Sequence, residues 1–164
     1  MSLDTHQSVY RERLLEHLVL GELLRHSWLH HRASLEVSQP ALDRAGHDVV
    51  LEVNGVTRHV QFKSSSRSAK TSRQTVHVDL ALKASGCVIW ITFDPTTLEL
   101  GPYRFFGGGP REQMPAIDQL PVARHTKGNA DGVKLQRPNL RVVSQGRFRH
   151  LDSIPHLYDA LFGG

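Results

Sequence analysis

Asn54-Gly55 separates two short runs rich in β-branched residues, Asp48-Val-Val-Leu-Glu-Val and Val56-Thr-Arg-His-Val-Gln-Phe-Lys. Asn-Gly is the favoured central pair of a two-residue type I′ turn, because both central residues must adopt positive φ. The pair therefore predicts a β-hairpin over residues 48–63. Alternate side chains of a strand share a face, so His59, Gln61 and Lys63 project together while Val60 and Phe62 project oppositely. The turn folds Asp48 back toward the open end of the hairpin, near Gln61 and Lys63. A carboxylate, an amide oxygen and an ammonium are expected to converge there.

Upstream, Leu14, Leu15, Leu18, Val19, Leu23 and Leu24 recur at three- and four-residue spacings, which predicts one long amphipathic helix over residues 7–30. Residues 34–37 predict a short strand before Pro40 breaks the regularity. After the hairpin, the polar stretch 64–74 reads as a mobile loop, and residues 76–82 as a strand. Residues 86–93, Gly-Cys-Val-Ile-Trp-Ile-Thr-Phe, form a nearly continuous apolar run, the pattern of a central strand buried on both faces. One more strand is expected within 98–106, the glycines 107–109 and Pro110 mark a flexible turn, and residues 140–143 suggest a late strand. Ser153 and Pro155 ahead of Leu-Tyr-Asp-Ala-Leu-Phe predict a capped C-terminal helix. This order predicts an α/β fold: a central mixed sheet flanked by helices, with a long N-terminal helix. A length of 164 residues makes a single domain over 1–164 the default, with a core at about 8–106 and a basic, Gly/Pro-rich extension over 107–164.

Charge is distributed unevenly. Residues 121–150 carry Arg124, Lys127, Lys134, Arg137, Arg141, Arg147 and Arg149 against one acid, Asp131. Between Lys63 and Arg73 lie Arg67 and Lys70 and no acid. Clustered Lys and Arg release counterions from phosphates, so nucleic acid is the expected partner, with a solvated basic surface as the plain alternative. Cys87 is the only cysteine, the N-terminus lacks a signal-peptide pattern, and no apolar run reaches bilayer length. A cytoplasmic protein with no membrane partner is expected.

The converging groups have a chemical use. Asp48 and the Gln61 carbonyl oxygen are hard oxygen ligands suited to Mg²⁺ or Mn²⁺, and Lys63 beside them can hold a water and offset negative charge developing on phosphorus. A second carboxylate is expected from the first helix. Glu22 and Glu16 are the candidates, and their helical angles differ by about 120°, so one of them serves the site.

An acid on the first helix, an Asp at a strand entrance, a hairpin and then Gln61-x-Lys63 together resemble the PD-(D/E)XK nuclease superfamily, which includes restriction endonucleases and archaeal Holliday junction resolvases. The resemblance covers roughly residues 10–93; Ser64 and Ser65 after the lysine are also typical in character. It implies a restriction-endonuclease-like core and metal-dependent phosphodiester hydrolysis of nucleic acid, DNA in the first place. The implied catalytic residues are Asp48, Gln61, Lys63 and Glu22 or Glu16, with Asp48, Gln61 and Glu22 on the metal. The twenty-six positions from Glu22 to Asp48 favour Glu22 over Glu16, which lies thirty-two positions away. Gln61 stands where the family usually has Asp or Glu. Gln-x-Lys variants occur among nucleases of this fold, but the lost charge weakens metal binding, so a catalytically inactive nucleic-acid- or protein-binding module is the rival expectation. Arg67, Lys70, Arg73, Lys127 and Lys134 are the expected phosphate contacts, and a homodimer stays open.

Other residues read more plainly. Asp43 in Pro40-Ala-Leu-Asp43 mimics the superfamily's "PD" element, but Asp48 has the better relation to the strand. His26 and His30 are spaced i, i+4, with His31 and His125 elsewhere, yet no cysteine set or HExxH motif accompanies them, which argues against zinc. Cys87, inside the apolar run, is expected to pack rather than react.

Overall fold

The computed structural model describes residues 3–42 and 46–164; Asp43 lies outside the described residues. The N-terminal helix α1 spans Leu3–His26 and continues into a wider π-type turn, Ser27–His31, which stops at Arg32 in the left-handed region. Its apolar stripe, with Leu15, Val19, Leu20 and Leu23, is buried.

Strands β1 (Glu36–Ser38), β2 (Val49–Val53) and β3 (Val56–Ser66) follow. The hairpin forms at the expected turn, with Asn54 and Gly55 both at positive φ and Val53 opposite Val56. The segment read as a mobile loop is strand only at its two ends: Ser64, Ser65 and Ser66 continue β3 in parallel register with Ile91, Thr92 and Phe93, and Arg73 and Gln74 begin β4 (Arg73–His77), with turn and coil over 67–72 between them. The strand expected over 76–82 ends at His77, whose ring accepts the Asp79 N–H and turns the chain into a 3-10 helix over Val78–Leu82.

The remaining strands are β5 (Gly86–Phe93), β6 (Leu100–Gly107), β7 (Val122–Arg124), β8 (Gln136–Ser144) and β9 (Arg149–Leu151), before helix α2 (Ile154–Phe162). Ser153 occupies the N-cap position of α2, but its hydroxyl bonds the His156 ring at 3.2 Å instead of capping a backbone N–H. Among the described residues, no helix is long and apolar enough to cross a membrane.

These elements make an α/β fold in three layers. A mixed six-stranded sheet runs in the order β1-β2-β3-β5-β6-β9, with β3 and β5 parallel and every other pair antiparallel. Both helices pack on one face of it, where Cys87, Ile89, Ile91 and Phe93 of β5 meet Leu15, Val19, Leu157 and Leu161. The opposite face, expected to carry a helix, is covered by a three-stranded antiparallel sheet, β4-β8-β7, over a second core that includes Val76, Val88, Trp90, Phe106 and Val143. Residues of β5 thus alternate between two cores, which explains its unbroken apolar run.

One side chain ties the C-terminal segment to this framework. Arg58 of β3 is fully buried. Its guanidinium donates to the carbonyls of Leu161 (2.9 Å) and Ala160 (2.9 Å) at the end of α2, and of Gly108 (2.8 Å) and Gly109 (3.1 Å) after β6. The expected flexible glycine turn is therefore anchored. Gly107 faces Cys87 so closely that a Cβ there would sit 2.7 Å from the cysteine Cβ. Cys87 itself is buried, and burial pushes its thiol up to about 12, so it packs and does not react at neutral pH.

Replacing Arg58 by Met should cost about 3–5 kcal/mol, because four buried carbonyls lose their donors. Urea denaturation will read this as a lower midpoint. Arg58→Lys should recover less than half of the loss, since a single ammonium cannot span the same fork of acceptors.

Candidate active-site cleft

β2 ends at Val49 while β3 continues to Ser66, so the second half of β3 has a free edge on that side. Asp48 closes the ladder. Its N–H donates to the Val60 carbonyl at 2.7 Å, and its Oδ2 accepts the Phe62 N–H at 2.6 Å. The carboxylate takes a strand donor that the next ladder residue would otherwise have taken, which holds it along the edge of β3.

Beyond Asp48 the edge opens into a cleft of about 260 Å³. Glu12 and Glu16 of α1, Phe62, Lys63 and Ser64 of β3, Gln74 of β4 and Ile91 of β5 line it. Burial, then the charge of Asp48, pushes the Glu16 carboxyl up to about 7; Glu12 adds to the shift, and Arg13 and His17 oppose it. Burial draws the Lys63 ammonium below the usual lysine range, Asp48 and Glu12 draw it back, and Arg137 of β8 adds a like charge. Asp48 is thus electrostatically coupled to both Glu16 and Lys63. The Gln61 carbonyl oxygen is buried with no hydrogen-bond partner among the described residues.

Of the two candidate helix acids, Glu16 lines the cleft, together with Glu12, whereas Glu22, which spacing along the chain favours, does not. Glu22 pairs with Arg25 and lines a different groove with Leu18, Tyr103 and Asp152. Six residues carry it about 9 Å along α1 and about 120° around it, away from the end of β2. His59, which shares the parity of Gln61 and Lys63, is turned away: its Nδ1 lies 2.7 Å from the Ala84 carbonyl and its ring packs edge-on to His47.

The expected phosphate contacts scatter. Arg67 donates from Nε to the Gly101 carbonyl at 2.6 Å and pairs with Glu99, so it braces a loop. Lys70 lines a polar cavity beneath the turn joining β3 and β4. Arg73 is exposed at the start of β4. Lys127 lines a separate cavity with His125, and Lys134 is exposed further along the same excursion.

Glu12, Gln74 and Arg137 were not singled out by sequence reasoning. Glu12 lies one helical turn before Glu16, a spacing that places both on one face and was readable. Gln74 and Arg137 reach the cleft region through the second sheet, and nothing local to either residue signals it. No family model matches the chain, and no curated protein or solved structure is significantly similar to it.

Among the described residues, no group of three or more His, Cys, Asp or Glu side chains is arranged to hold a metal ion. His26, His30 and His31 gather instead as packed rings around Tyr158. The carboxylates that act on the cleft are Asp48, Glu16 and Glu12, and Gln61 of β3 adds a buried amide oxygen.

The Glu16 shift has a sign that stability measurements can read. Its carboxyl rises from an ordinary 4.5 to about 7 on folding, so the folded chain holds a proton that the unfolded chain releases between those values. Stability is then lost as pH climbs through that window. Glu16→Gln should match the wild type at pH 4 and exceed it at pH 8 by about 1–2 kcal/mol, after allowance for solvent screening of a half-buried group. Denaturation at the two pH values checks this.

Proposed function

We propose that this protein is a metal-dependent phosphodiesterase acting on nucleic acid, DNA in the first place, built on a restriction-endonuclease-like core of the PD-(D/E)XK kind. The observation that carries the reading is the meeting of Asp48, Glu16 and Lys63 at one strand edge, with Gln61, two residues before Lys63 on β3, carrying a buried amide oxygen that has no hydrogen-bond partner among the described residues. A buried acceptor left without a donor costs free energy, and a cation would meet that need. With two carboxylates and an amide, all hard oxygens, the donors fit Mg²⁺ or Mn²⁺ in a site that keeps several waters.

Asp48, Glu16 and Gln61 would hold the ion, which when bound supplies Lewis-acid polarisation of a phosphoryl oxygen and lowers the pKa of a coordinated water. Asp48 is pinned for this role by the Phe62 N–H. Lys63 supplies positive charge where negative charge grows on the phosphoryl oxygens, and its three donors can orient a water for attack. In the metal-free chain Glu16 holds a proton up to about pH 7, and binding of the ion would displace it. Asp48, and after it Glu12, oppose the downward pull of burial on the Lys63 ammonium.

The amide at Gln61 also supports a second reading, a binding module of the same fold that no longer cuts. Purified wild type and Lys63→Ala, incubated with plasmid, single-stranded and branched DNA and with RNA in Mg²⁺ or Mn²⁺, separate the two. Cleavage by the wild type should fall at least about 100-fold in Lys63→Ala. Binding without cleavage by either protein establishes the second reading. Gln61→Glu should raise Mn²⁺ affinity about tenfold in calorimetric titration, because it returns a charge to the donor set.

A further inference from the structure

The polar cavity beneath the turn joining β3 and β4 has a volume of about 400 Å³ and no carboxylate in its wall. Ser65, Ser66, Arg67, Lys70, Thr71 and Arg104 line it, among others. Its position follows from sheet register. Lys63 lies opposite Trp90, and Trp90 opposite Arg104, so the three share one row on the face covered by the small sheet. Arg104 is thus two strands from Lys63, about 10 Å away.

Arg104 and Ser65 are held in place in this cavity, while Lys70 is exposed at its rim. The Arg104 guanidinium lies over the buried Trp90 ring at 5.0 Å. With its amide oriented to satisfy both neighbours, Gln145 accepts from Arg104 Nη2 at 3.0 Å and donates to the Thr71 carbonyl at 3.1 Å. Trp90 Nε1 donates to Ser65 Oγ at 2.8 Å, which leaves the serine O–H free to donate elsewhere. Arg67 is balanced by Glu99, whereas among the described residues no ion pair engages Arg104 or Lys70. Two uncompensated cations and an oriented hydroxyl suit an oxyanion.

We propose that this cavity is a phosphate subsite that takes a backbone phosphate of a nucleic-acid strand whose neighbouring phosphodiester lies at Lys63. The inference rests on the phosphodiesterase reading and extends it: a separation of about 10 Å corresponds to roughly one or two nucleotides, since the backbone carries one phosphate per unit. Arg104, Lys70 and Ser65 bind that phosphate without reading a base, so the contribution is independent of sequence.

The test is fluorescence anisotropy of a labelled single-stranded oligodeoxynucleotide, titrated across salt concentrations without divalent metal, with wild type, Arg104→Gln and Lys70→Gln. Lys70 is exposed, so its replacement leaves the packing on Trp90 untouched. Each variant should bind about 5–10-fold more weakly and lower the slope of log affinity against log salt by about 0.7. Wild-type affinity and slope in both variants would overturn the subsite, even if the wild-type protein cleaves DNA. Weakened binding in both variants, together with a wild type that cleaves nothing, supports the subsite and removes the phosphodiesterase reading. A parallel arm uses inorganic phosphate: protection of the wild type against thermal unfolding, lost in Arg104→Gln while oligonucleotide binding is unchanged, would assign the cavity to free phosphate compounds and overturn the proposal.

Discussion

The architecture depends on a buried arginine. Arg58 sits in the hairpin, yet all four of its hydrogen bonds go to carbonyls contributed by residues 108–109 and 160–161. Two of those carbonyls belong to the last turn of α2, where unsatisfied acceptors and the negative end of the helix dipole favour a cation. The guanidinium also lies against the Phe105 ring at 5.4 Å. A charge removed from water is tolerable only when its donors are met. Arg58 therefore couples the placement of α2, and with it the packing of α1 against α2, to the formation of β3.

That coupling matters for the cleft because β3 serves both structures. Its even-numbered residues, Arg58, Val60 and Phe62, are buried on the helix side. Gln61 and Lys63 alternate with them, and the cleft wall reaches Lys63. A one-residue slip in the hairpin would exchange the two sets, carrying Lys63 into the helix-side core and Phe62 to the face covered by the small sheet. The Asn54-Gly55 turn and the Arg58 anchor oppose such a slip from opposite ends of the same segment. Glu16 depends on the same arrangement, since Leu15 and Val19 seat α1 and thereby carry Glu16 to the strand edge.

What could be read in the chain was what short-range chemistry determines. The hairpin and the fully buried strand β5 have local signals, a turn pair and an apolar run. The three-residue strands β7 and β9 are too short to show a period, and β8 exposes most of its residues, so its pairing with β4 and β7 leaves no alternating pattern. The serines after Lys63 look like loop because their strand conformation comes from parallel pairing with β5, a contact between segments some twenty-seven positions apart. Spacing favoured Glu22 over Glu16 for a related reason: distance along the chain carries no information on which turn of α1 crosses the open edge of β3. Arg58 gave no sign of burial, since its acceptors lie 50 to 103 positions further along the chain.

The amide at Gln61 is best understood from the charges already present. Asp48, Glu16 and Glu12 act on the same cleft, and Glu16 already holds its proton to about 7 because burial and Asp48 disfavour a further negative charge. A fourth carboxylate at a buried oxygen position would sharpen that conflict, raising its own pKa or that of Glu16 until a cation arrived. An amide supplies an oxygen without adding to the repulsion, and it leaves Lys63 with Asp48 and Glu12 as the acids that hold its charge. The trade is weaker attraction for a divalent ion in return for a cleft that is tolerable when empty. On this view metal affinity and stability at neutral pH are opposed through one position, and a carboxylate placed there should strengthen the first while lowering the second.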